Sequence, residues 1–129
     1  MAYKLYDYKN RQGVNEVKAW ALSLQPAQRG KLNAKLDMLA AHGTDLLPQT
    51  LAGSDAPGIY KLKVKGSVQL RPHLCDGPLK VGAEFTLLVG AREVGGKLRP
   101  SDVAAQAVTR KDHILQEKED KRCDHERVS

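Results

Sequence analysis

The hydrophobic period of the chain changes several times, and each change marks an element. Residues 3–8, Tyr-Lys-Leu-Tyr-Asp-Tyr, are aromatic-rich and alternate, which predicts a strand. After Gly13, the residues Val14, Val17, Ala21 and Leu24 recur at i, i+3, i+7 and i+10 with Trp20 beside them, the spacing of one buried helical face. Pro26 breaks that pattern and suits the first turn of a second helix, with Leu32, Leu36 and Leu39 as its stripe and Gly43 as its stop. The two make an αα-hairpin.

From Thr44 to Gly58 the chain reads as loop, and three strands follow. In Ile59–Lys65, Tyr60, Leu62 and Val64 point one way and Lys61, Lys63 and Lys65 the other, and Gly66-Ser67 signals a tight turn. Val68–Cys75 continues the alternation, with Gln69, Arg71, His73 and Cys75 outward. Pro72 cannot donate to a ladder, so a bulge or an edge is expected there. Glu84–Arg92 is the third strand, with Phe85, Leu87 and Val89 directed at the helices. Gly95-Gly96 ends it, and Ser101 or Asp102 caps a final helix running to about Leu115. The expected fold is α+β, in the order β-α-α-β-β-β-α, an antiparallel sheet with a helical hairpin on one face. Residues 1–115 form one domain, and 116–129 a mixed-charge, flexible tail.

Charge sharpens this picture. The net charge is +6, but residues 1–56 hold seven basic and five acidic residues, 57–100 eight and three, and 101–129 six and seven. The middle third therefore carries +5, which favours a polyanionic partner. No apolar run approaches the roughly 18 residues of a membrane span, and the N-terminus lacks signal-peptide order, so a cytoplasmic protein is expected. Cys75 and Cys123, without a CxxC, read as unpaired thiols. Nothing has metal-ligand spacing, a phosphate-loop glycine pattern or a nucleophile elbow, so neither metal nor cofactor is expected.

Lys61, Lys63, Arg71, His73 and Arg92 are the candidate catalytic residues if the three strands are neighbours. Like charges across a sheet are unfavourable by a few tenths of a kcal/mol, and an anion between them relieves this. RNA cleaves when its 2′-hydroxyl attacks the adjacent phosphate, which needs a base, an acid and charge stabilisation but no metal. A lysine among cations or His73 can serve as base, and Arg71 and Arg92 as phosphate ligands. Lys65, Lys97 and Arg99 are the further RNA-contacting cations. Each feature also has a plain reading: lysines on a solvated face, an incidental histidine, and arginines paired with Asp76, Glu84 or Glu93.

The order of elements and several segments resemble the RelE/ParE superfamily of toxin–antitoxin proteins, in its phage-derived RelE/HigB-like branch, over residues 3–115. VKAWALSLQPAQRGKLNAKLDMLAAHG is similar to that family's helical hairpin. GIYKLKVKG is similar to the strand that usually carries Glu-Leu-Arg, here Lys61-Leu62-Lys63. LLVGAREVGGKLRPSDVAAQAV is similar to its last strand, basic turn and closing helix, with Arg92 at the turn and Arg71 on the preceding strand. The resemblance implies a ribosome-dependent mRNA endoribonuclease held inactive by a helix-turn-helix antitoxin. Departures at Pro72, Ala91 and the C-terminus leave two alternatives: a non-catalytic phage protein of the same fold that binds a host protein or nucleic acid, or a gyrase-directed toxin.

Overall fold

In the computed structural model, which describes residues 2–129, the segment Glu84–Val89 (β6) is buried along its whole length. A strand with no solvated face needs cover on both sides. Phe85 and Leu87 point into a cluster with Val17 and Ala21 of α1 (Glu16–Leu22) and Leu32, Leu36 and Leu39 of α2 (Pro26–His42). Leu88 points the other way, against Val103, Ala107 and Ile114 of α3 (Val103–Glu117). Helices therefore cover both faces of the sheet. The expected one-sided sheet is corrected here, because β6 is buried at even and odd positions alike, the polar Glu84 and Thr86 included.

The main sheet has six strands, in the order β2 (Leu51–Gly53), β3 (Tyr60–Leu62), β5 (His73–Asp76), β6, β1 (Lys4–Tyr8) and β9 (Arg122–Asp124). It is mixed rather than antiparallel: β1 runs parallel to β6, with Leu5 opposite Phe85. A second sheet joins β4 (Gln69–Leu70), β7 (Arg92–Val94) and β8 (Lys97–Arg99). The anticipated 68–75 strand thus divides at Arg71-Pro72, and its halves enter different sheets. Pro72 has no N–H for a ladder; its carbonyl accepts from Leu62 at 3.0 Å, while Arg71 N donates to Ala91 O at 2.8 Å.

Local signals account for the helices. The Asn15 side chain accepts from Lys18 N at 2.9 Å, closing the first turn of α1. That start lies after Val14, which is 48% exposed and outside the expected buried face. Gly43 ends α2 at φ 55°, and a Cβ there would lie 2.3 Å from the Tyr3 ring, so the helix end and β1 pack only around glycine. Residues 43–46 form a 3₁₀ turn, and β2 follows inside the expected loop, with Leu51 fully buried.

The C-terminus also departs from expectation. Residues 118–121 form a 3₁₀ turn, and β9 then pairs antiparallel with β1, Cys123 opposite Asp7. Arg122 is buried, bonded to Glu84 and Glu119 and stacked 3.7 Å from the centroid of the Tyr6 ring. Val128 joins the core, and its carbonyl accepts from Asn33 Nδ2 at 2.7 Å. A polar composition concealed this order because the segment is held by ion pairs and one apolar anchor. No helix among the described residues is long and apolar enough to cross a membrane.

Candidate nucleic-acid interface

The helix α2 sets out the site, because its three flanks do different work. Leu32, Leu36 and Leu39 face the core. Arg29, Asn33 and Asp37, at i, i+4 and i+8, hold the C-terminal segment through Ser129 O, Val128 O and Arg127. Gln28, Lys31 and Lys35, at i, i+3 and i+7, form the third flank, and a groove runs along it.

One end of the groove is a cavity of about 440 Å³ lined by Lys31, Lys35, Lys63 and Lys65 with Gln49 and Thr50. Lys31, Val64 and Lys65 carry it into a narrow middle section that Gln28 also lines. Gln28 in turn borders a cavity of about 580 Å³ lined by Trp20, Arg92 and Arg99. The three sections share lining residues and contain no Asp or Glu. Arg92 and Arg99 stand directly opposite one another in the β7–β8 pair. Among the described residues, none of these six cations forms an ion pair. Six unpaired cations along one groove disfavour each other, and a polyanion lying in it relieves that.

Trp20 is half-buried, and a Cβ on Gly90 would lie 2.1 Å from its Cδ2, so the indole rests on bare backbone. An aromatic beside two arginines on a cationic path suits single-stranded nucleic acid, whose bases stack while its phosphates take the charge.

The residues singled out by alternation therefore do not meet on one patch. Lys63, Lys65, Arg92 and Arg99 lie in the α2 groove, whereas Lys61, His73 and Lys97 line a separate cleft of about 380 Å³ with Ser54, Asp55 and Glu93. Lys61 stands opposite His73 in the β3–β5 pair, whereas Lys63, whose N donates to Thr50 O at 2.8 Å, lies with Gln49 and Thr50 in the lining of the groove.

Arg71 lies in neither place. It is buried, donating from Nη1 to Leu70 O at 2.9 Å, with Nε 3.8 Å from a Glu93 carboxylate oxygen. It joins the two sheets, so its expected outward direction is corrected. Outward exposure also fails for His73 and Cys75, both fully buried, Cys75 within the cluster under α3. Burial pushes the Cys75 thiol up to about 12, which keeps it protonated and unreactive.

His73 sits opposite Lys61 in the β3–β5 pair, and its Nδ1 bonds Arg71 O at 2.8 Å. A carbonyl only accepts, so Nδ1 carries the proton and Nε2 offers a lone pair. Nε2 has no partner among the described residues. A buried acceptor left that way is unfavourable by about 1–3 kcal/mol. Burial, with a smaller push from Lys61, holds the imidazole below its ordinary pKa against the opposing Arg71 carbonyl bond.

Lys31, Lys35, Gln28 and Trp20 are site residues that the hydrophobic pattern does not mark, since it assigns the second helix only a core stripe. Their available signal was Lys31/Lys35, a like-charged i, i+4 pair that a helix avoids unless something anionic compensates. Comparison with protein-family models, curated proteins and solved structures finds no match to this chain.

Proposed function

We propose that the chain binds single-stranded RNA along the α2 groove, as a protein of the mRNA-directed toxin type that its sequence resembles. The observation that carries this reading is the run of three adjoining, acid-free cavities that leads from Lys35, Lys63, Lys65 and Lys31 past Gln28 to Trp20, Arg92 and Arg99. Phosphates are held by the cations, and an unpaired base stacks on the indole. The resemblance supplies the remaining partners, a ribosome presenting the mRNA and a helix-turn-helix antitoxin.

Fluorescence anisotropy with a labelled single-stranded RNA at several salt concentrations tests the binding. Arg92→Ala is expected to weaken RNA binding without moving the melting temperature, since Arg92 is exposed and unpaired. Arg71→Ala is expected to lower the melting temperature instead. Unchanged affinity in Arg92→Ala and in a Lys63→Glu/Lys65→Glu variant would remove the groove from consideration.

Cleavage of the bound RNA is a second reading, and one observation favours it. His73, opposite Lys61 in the separate cleft, keeps an unpartnered Nε2, which suits a base for a 2′-hydroxyl when the strand continues from the groove into that cleft. Induced expression would then arrest growth, and the cut mRNA would carry 2′,3′-cyclic phosphate ends. Intact mRNA in cells making abundant soluble protein sinks cleavage but leaves binding standing.

A further inference from the structure

The His73 cleft has the features of a small-molecule site in its own right. Its volume of about 380 Å³ lies within the range that encloses small ligands. The β3 strand contributes Lys61, the turn before it Ser54 and Asp55, and the β7–β8 hairpin Glu93, Lys97 and Leu98. His73 lines it while remaining fully buried, with Nδ1 committed to Arg71 O and Nε2 unpartnered.

These groups restrict what fits. The lone pair of Nε2 requires an O–H or N–H donor. The ammonium groups of Lys61 and Lys97 attract an anion. Asp55 repels an anion on its own side and accepts a hydroxyl or amino group, while Glu93 is engaged with Arg71. A ligand with a hydroxyl next to a phosphate ester meets all of these demands. Inorganic phosphate offers an anion and an O–H as well, but it fills only a small part of about 380 Å³.

We infer that this cleft binds a ribonucleotide, with a ribose hydroxyl donating to His73 Nε2 and the neighbouring phosphate held by Lys61 and Lys97. The choice of ribose as hydroxyl carrier rests on the RNA reading, although the cleft and the groove share no lining residue. A free nucleotide and the 3′-phosphorylated end of an RNA strand offer the same chemistry.

Calorimetric titration of the full chain with adenosine 3′-monophosphate and its 2′-deoxy counterpart tests this. The deoxy compound should bind about tenfold more weakly, the effect of losing one hydrogen bond. Lys97→Ala, an exposed hairpin position, should weaken the ribonucleotide about fivefold. The ¹⁵N signal of His73 Nε2 should move on addition of the ribonucleotide. In a parallel arm, an RNA bearing a 3′-phosphate that is weakened by Lys97→Ala identifies a strand end as the source. An effect confined to the mononucleotide identifies a free nucleotide; either result supports the site.

Equal affinity for ribo and deoxy forms, or an unmoved Nε2 signal, overturns the proposal. So does nucleotide binding that is lost in Lys31→Glu/Lys35→Glu but kept in Lys97→Ala. The groove reading fails separately, if that double substitution leaves binding of an unphosphorylated RNA oligonucleotide unchanged.

Discussion

The two flanks of α2 lead to charged regions of similar size that use their charges in opposite ways. Beyond one flank, the C-terminal segment has a partner for nearly every charge: Arg122 on Glu84 and Glu119, His125 on Asp7, Glu126 on Lys18 and Arg127, which alone of these reaches α2, on Asp37. Along the other, Lys31, Lys35, Lys63, Lys65, Arg92 and Arg99 have no ion-pair partner among the described residues. The difference shows that net charge is a poor guide to function until pairing is known. The almost neutral final third of the chain uses its charges to tie a strand to the fold. Four of the eight cations of the basic middle third line the groove, beside Lys31 and Lys35 of the first.

Removing a paired charge should break the first flank. Arg122→Met leaves the Glu84 carboxylate buried without its partner, and urea denaturation should register a loss of about 3–5 kcal/mol. Adding Glu84→Gln should restore much of it. A loss below 1 kcal/mol (roughly the value of an exposed pair) would mean that the segment is not anchored there.

Charge reversal on the second flank should do the opposite. Lys31→Glu/Lys35→Glu is expected to leave unfolding free energy within about 0.5 kcal/mol of the parent, because neither lysine has an ion pair to lose and Lys35 gives up only a long contact with Met38 Sδ. RNA affinity should fall about 100-fold, and the salt dependence of log K should flatten by about 1.4, the share of two phosphate contacts to a single strand. If stability falls and affinity does not, the flanks are not functionally distinct.

The His73 cleft contributes a smaller, pH-dependent effect. Its folded pKa lies below the ordinary value of 6.5, so both states are neutral above that pH. As pH falls from 6.5 towards the folded pKa, the unfolded chain takes up a proton that the folded protein resists. Stability should therefore decline there by up to about 1.4 kcal/mol per pH unit. Thermal unfolding between pH 5 and 8 should show a shallower decline in His73→Gln; an unchanged slope would place the titration elsewhere. Smallest of all, Arg127→Ala removes an ion pair whose partners are both more than half exposed, and should change stability by less than about 1 kcal/mol in a melting curve.

Much of the scaffold is legible in the amino-acid pattern. The stripe Leu32-Leu36-Leu39, Gly43 as the stop of α2, and Phe85 and Leu87 directed at the helical hairpin all follow from periodicity, and all are found. β2 is not legible because three residues between Pro48 and Ser54 give too short a run for a period. β9 is not legible because Arg122 and Asp124 read as solvated until Glu84 and Tyr6 are brought against them. For the candidate site, the basic character of residues 61–99 is plain, but its division is not. Alternation assumes that residues 68–75 stay in one sheet, and they divide between two sheets at Arg71-Pro72.

The α+β class, the hairpin of helices, the apolar core face and the excess of positive charge in the middle of the chain are all local properties. Period, turn chemistry and composition act over a few residues, so the linear order of amino acids is enough to specify them. Which cations share a groove, that Arg71 turns inward to Glu93, and that His73 is buried with one nitrogen free are settled by long-range contacts. Those outcomes depend on which distant segments become neighbours. The side-chain period of a strand gives a direction but not the element that waits on that side.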